Sequence, residues 1–305
     1  MTPDVHLAGS LVAAAICLGS LLSGYRHVTE TTLRACWIWC LVSLVALTLA
    51  AMLALGPLEP GPAMESHLRH AAGITTFCPL MALLGAKRPQ DRAWQFIVLS
   101  LWIVLMLPSL ASLVDRPEAT LGLHGARQWF LAVLIAVGLF NGIATRYWPS
   151  SLLAAAAQVL LLASFLPWLD EQFQQGLWAS RAVYSSALAC LAVAAVLRAA
   201  GWPRRPKVTE PLDRLWLDFR DRFGAVWGLR VAERMMAAAH LLKWPLRLGW
   251  HGFSPTDPAA DLRNLPPETR RAVEKSLRTL LRRFVSSAWI AQRLDSPQRN
   301  EKASA

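Results

Sequence analysis

Two histidines carry the clearest chemical potential in this chain. His67 and His70 are three residues apart, with Glu65 and Arg69 beside them. On a helix, positions three apart share a face. Imidazole is a common ligand for haem iron and divalent metals, so the pair is a candidate cofactor-binding site. The same face continues to Ile74 and Cys78, and His124 follows in a later loop. A ligand set normally has more members than two, and a polar helix end at headgroup level accounts for the pair more simply. The cofactor is therefore unknown, and no metal site is assigned.

Thr75, Thr76, Cys78 and Pro79 form a second group. Proline has no N–H, so it frees the carbonyl one turn earlier, and nearby hydroxyls can compensate. Gly138 and Gly142 form a G-x-x-x-G pair around Asn141, which suits close helix packing within a bundle or between two copies. A third group is basic: Arg204, Arg205 and Lys207 in one stretch, and Arg278, Arg282 and Arg283 in another. These are candidate membrane-surface residues, because an anionic leaflet attracts each such charge by about 1 kcal/mol.

The chain has no phosphate-binding G-x-x-x-x-G-K-[ST], no H-E-x-x-H, no C-x-x-C-H and no G-x-S-x-G. Its five cysteines all lie in apolar runs and form no C-x-x-C pair, which argues against a disulfide framework or a zinc site.

The elements that must position these groups are membrane helices. Of 305 residues, 54% are hydrophobic and 17% charged, against about 25% charged in soluble domains. Seven runs approach the roughly 20 residues a bilayer-spanning helix needs: 5–24, 33–55, 70–86, 93–114, 129–145, 151–169 and 178–200. The first lacks a basic leading region and reads as a retained span, not a cleaved signal.

Lys and Arg collect on the cytoplasmic side. With the N-terminus outside, Arg26, Arg34, Lys87, Arg88, Arg92, Arg146, Arg198, Arg204, Arg205 and Lys207 fall inside. Arg69, Arg116, Arg127 and Arg181 fall outside, as do Glu59 and Asp170. Without the third span, Lys87, Arg88 and Arg92 would lie outside, so the charge pattern favours seven crossings and a cytoplasmic C-terminus in a plasma (inner) membrane.

From Pro203 onward there are 20 basic and 11 acidic residues, against 11 and 9 before it. Residues 203–210 read as a basic, proline-rich linker and 211–294 as a small α-rich cytoplasmic domain, with 295–305 frayed. Leu212, Leu215, Trp216, Phe219, Phe223, Val226 and Trp227 recur at helical spacing, and Gly224 and Gly228 interrupt the pattern. Residues 246–253 alternate like one short strand, and Pro266, Pro267 and Glu268 mark a helix start.

The fold class expected is thus mostly α, a seven-helix membrane bundle with an α-rich tail. The partners expected are the lipid bilayer and a membrane or cytoplasmic protein. Acidic residues among the tail's basic ones, and the lack of a recognition motif, argue against nucleic acid. The glycine pair leaves a homo-oligomer open. The favoured function is a non-enzymatic accessory or scaffold protein. The alternatives are a haem- or metal-handling protein using His67 and His70, and a small-solute transporter.

Overall fold

The computed structural model describes residues 3–57, 60–166, 182–204, 208, 210–257 and 265–301. The chain is mostly helical, in the order α1 (Pro3–Val28), α2 (Arg34–Leu55), α3 (Pro62–Thr75), α4 (Cys78–Leu84), α5 (Trp94–Asp115), α6 (Gly125–Ile143) and α7 (Trp148–Leu162). A short 3-10 turn, Ala163–Phe165, closes α7, and α8 (Ala182–Ala199) follows. The C-terminal part holds α9 (Pro211–Leu241), β1 (Leu246–Gly249), β2 (Gly252–Pro255), α10 (Pro267–Leu281) and α11 (Ser287–Glu301).

Among the described residues, six helices are long and apolar enough to cross a membrane: Val5–Val28, Arg34–Leu55, Trp94–Asp115, Gly125–Ile143, Trp148–Phe165 and Ala182–Ala199. Leu47, Ile74, Phe77, Leu161, Leu162, Tyr184 and Leu188 fill the interior of the bundle. Val12, Phe96, Val114 and Phe140 point outward and are exposed. Helices that face hydrocarbon carry such outward apolar side chains.

The expected third run, 70–86, is not one helix. α3 begins earlier, at Pro62, and gives way to α4 across Thr76 and Phe77. The two pieces are nevertheless central. α3 packs on α2, α5 and α7, and α4 packs on α2 and α5. At one end the Ser66 hydroxyl accepts from Leu121 N–H in the α5–α6 loop (3.0 Å). At the other, the carbonyl of Leu83 accepts from the Trp227 indole of the C-terminal part (2.9 Å).

A second apolar cluster lies in the C-terminal part. Phe219 stacks on Phe223 with ring centroids 4.7 Å apart, and Phe284 meets Phe219, Phe223 and Trp227 edge-on at 5.2, 5.4 and 4.9 Å. Trp216, Val273, Leu277 and Trp289 complete it, and Ala86, Leu83 and Leu33 of the bundle join it. The stretch read as one strand is an antiparallel hairpin that turns at Trp250 and His251, with Leu246 opposite Pro255. Asp213 accepts from Phe253 N–H (2.6 Å) and the Trp216 indole donates to Gly249 O (3.1 Å), so α9 holds the hairpin. The last described helix, α11, runs to Glu301. Of the residues used to set topology, Glu59, Asp170, Arg181, Arg205 and Lys207 lie outside the described residues.

Candidate functional site

The break between α3 and α4 follows from Pro79. In an unbroken helix its N–H would bond the Thr75 carbonyl, and proline has none to give. The Ser43 hydroxyl of α2 lies 2.7 Å from that carbonyl and equally 2.7 Å from the Trp39 carbonyl. The next carbonyl, Thr76, accepts from the side-chain amide of Gln158 on α7 (3.3 Å). Thr75 and Thr76 turn their own hydroxyls back onto Ala71 O and Gly73 O, and the Trp102 indole of α5 donates to the Thr75 hydroxyl (3.0 Å). Three neighbouring helices therefore satisfy one interruption, as a buried backbone requires.

A second break faces the first. Gly224 in α9 has φ +78°, a left-handed value that glycine adopts without a Cβ clash. A Cβ there would collide with the carboxamide of Asn141. Asn141 Oδ1 accepts from Val226 N–H (3.0 Å), so a bundle side chain caps the second half of a C-terminal helix.

Around this cap the C-terminal part is bonded to three bundle loops. Thr32 N–H donates to Phe284 O (2.8 Å), Ser286 N–H to Glu30 O (2.8 Å), and Thr31 pairs with Val285 as an antiparallel bridge. Arg88 N–H donates to Arg283 O (2.9 Å), and the Trp250 indole to Ala144 O (2.7 Å).

Between the two breaks lies a cavity of ≈ 280 Å³. Thr76, Pro79, Leu80 and Leu83 form one wall, and Gly138, Asn141 and Gly142 of α6 another. Ser151, Ala155 and Gln158 of α7 face them, and Arg198, Asp221, Arg222 and Gly224 close the end beside α9. Asp221 Oδ1 binds the Arg220 guanidinium (2.7 Å), and its Oδ2 is 3.7 Å from Arg146. The guanidinium carbons of Arg146 and Arg198 both stand 4.5 Å from the centre of the Tyr147 ring. Arg222 donates to His27 O (3.1 Å). Burial first, and then the charge of Arg293, hold the Arg222 pKa below its usual value.

The candidate residues read from sequence distribute as follows. His67 and His70 are buried in the bundle, away from this cavity. His70 Nδ1 is 2.7 Å from the Ser109 hydroxyl, and its ring meets Phe165 edge-on at 5.2 Å. Neither ring nitrogen of His67 has a hydrogen-bond partner among the described residues. Glu65 pairs with Arg69 (2.7 Å), while His124 is exposed. No group of three or more His, Cys, Asp or Glu side chains positioned to hold a metal occurs among the described residues.

Gly142 packs on Ser151 and Gly138 on Leu80, both contacts within the chain. Arg278 pairs with Glu274 (2.7 Å), Arg282 and Arg283 are exposed beside Arg88, and Arg204 is exposed. Sequence reasoning allowed a kinked helix at Pro79 to line a cavity, and Thr76 and Pro79 do line this one, but it missed the charged rim. A further local signal was Gln158, a lone amide in an otherwise apolar run.

Comparison of the chain with protein-family models, with curated proteins and with solved structures finds no match.

Proposed function

We propose that the chain is a non-enzymatic membrane scaffold. In this reading α3 and α4 together form a seventh, discontinuous crossing. The N-terminus is then outside, and the C-terminal part is a cytoplasmic domain fixed to the inner end of the bundle. The observation that carries the reading is that the α1–α2, α4–α5 and α6–α7 loops all meet the same C-terminal part. Alternate loops converge on one end only if the intervening segments each reverse the chain. Lys87, Arg88 and Arg92 then stand on the cytoplasmic side, as the positive-inside bias favours.

The fixed domain presents a basic collar at the inner leaflet. Arg282 and Arg283 sit beside the Arg88 loop, close to the start of α5, where Phe96 is 74% exposed. Anionic lipid would attract this collar, and salt would screen the attraction beyond about 10 Å at 0.1 M. The collar sets the domain's distance from the membrane, and the domain's outward face is left for a protein partner.

A fluorophore on Thr279→Cys, in full-length protein reconstituted into nanodiscs, tests this. The emission should shift to the blue in anionic bilayers. It should revert in high salt and after Arg282→Gln with Arg283→Gln. Emission indifferent to lipid charge contradicts the collar, and external labelling of a cysteine at position 88 contradicts the topology.

A second reading, haem or metal handling, rests on the unpartnered ring nitrogens of His67. A Soret band in the purified protein that His67→Ala abolishes would favour it. A colourless, metal-free preparation would remove it.

A further inference from the structure

We propose that the cavity between the two helix breaks is a binding site for a phosphate-type anion, with the headgroup of an anionic phospholipid as its source. Several neutral polar groups of the wall spend their donors within the chain. Thr76 donates to Gly73 O, Thr145 to Gly142 O, Ser151 to Tyr147 O, and the Gln158 amide to Thr76. Asp221 is engaged by Arg220 and Arg146, and Asp218 by Arg293 (2.9 Å).

The charge at this site is mainly cationic. Five guanidinium groups, Arg146, Arg198, Arg220, Arg222 and Arg293, gather here around the carboxylates of Asp218 and Asp221, with Glu30 acting on Arg293 as well. Arg198 and Arg222 form no salt bridge with a carboxylate among the described residues, and both line the cavity. Like charges held together in a partly buried site are costly unless an anion joins them. Guanidinium N–H groups suit phosphate oxygens, which only accept. Leu80, Leu83 and Leu139 line the same space. The ligand therefore combines an acceptor-only charged group with adjoining apolar matter, and basic pockets between membrane helices suit phospholipid headgroups.

The site does not depend on the collar: Arg198 and Arg222 belong to the cavity rim, and Arg282 and Arg283 do not. Full-length protein in neutral detergent would be titrated with short-chain phosphatidylglycerol, short-chain phosphatidylcholine and inorganic phosphate. Thermal shift and native mass spectrometry would read binding. Phosphatidylglycerol should stabilise the protein and survive as a one-to-one adduct, whereas phosphatidylcholine should do neither.

Arg198→Gln and Arg222→Gln should each weaken binding about tenfold or more. Arg282→Gln with Arg283→Gln should leave it unchanged even if the collar is lost. Leu80→Trp, which fills the cavity without touching a charge, should block binding and guards against misfolding of the Arg222 variant. Stabilisation by inorganic phosphate alone, lost on Arg198→Gln, would keep the anion site but overturn the lipid source. Equal binding of both lipids, or binding unaffected by Arg198→Gln and Leu80→Trp, would overturn the proposal.

Discussion

The two interrupted helices of this protein fail in opposite ways. Pro79 removes a donor, so the α3–α4 break leaves carbonyls without partners, and the bundle supplies donors from Ser43 and Gln158. Gly224 turns the chain to positive φ, so the break in α9 leaves an N–H, and the bundle supplies an acceptor from Asn141. Pro108 sharpens the contrast. It lies inside α5, which continues unbroken from Trp94 to Asp115. Proline alone does not break a membrane helix here. The break settles where polar side chains of other helices meet the freed groups, and both breaks line one cavity.

The largest effect is expected at Gly224. Gly224→Ala combines left-handed strain, about 1–3 kcal/mol, with a collision against Asn141 that overpacks the joint by a similar amount. A loss of about 3 kcal/mol should appear as a lower unfolding temperature and as early proteolysis between the bundle and the C-terminal part. Wild-type stability in this variant would show that the joint is loose.

Gln158→Leu comes next. It leaves the Thr76 carbonyl buried without its partner, at a cost of about 1–3 kcal/mol, measurable by thermal denaturation in detergent. A change within error would mean that the break satisfies itself. Ser43→Ala should cost about 1 kcal/mol in the wild type and much less with Pro79→Ala, whose restored N–H can serve Thr75. That double-mutant cycle separates a proline-driven break from one set by packing, because strict additivity would deny the link between Ser43 and Pro79.

Asn141→Ala removes a cap and should cost about 1 kcal/mol, with hydrogen exchange at Val226 N–H speeding up. Unchanged exchange there would show that the cap is not what holds α9. The smallest effect is expected for Pro108→Ala, under about 1 kcal/mol, since α5 is already continuous.

Much of the frame was legible because long apolar runs carry few alternatives. The six long helices follow from them directly, and the breakers Pro79 and Gly224 are visible as residue types. What sequence could not show is which distant side chain meets each freed group. Ser43 and Thr75 are 32 residues apart, and Asn141 and Val226 are 85 apart. Asn141 sits within the glycine pair that suggests helix packing, yet its oxygen accepts from Val226 N–H of the C-terminal part. The third run was placed too late because polar residues from Pro62 to Arg69 depress hydropathy without disfavouring a helix. The hairpin was read as one strand because Trp250 and His251 are not usual turn residues. The charged rim was missed because Arg198 comes from the end of α8 and Asp221 and Arg222 from α9, across the linker.

Backbone hydrogen bonds lock the C-terminal part onto the end of the bundle. Thr31 and Val285 face each other as a backbone bridge between the two. With the five native cysteines replaced, Thr31→Cys and Val285→Cys should form a disulfide rapidly and nearly completely in native membranes under mild oxidation. Rapid, nearly complete cross-linking within one chain is the predicted result. Slow or partial cross-linking, no faster than between surface cysteines placed at random, would contradict the account.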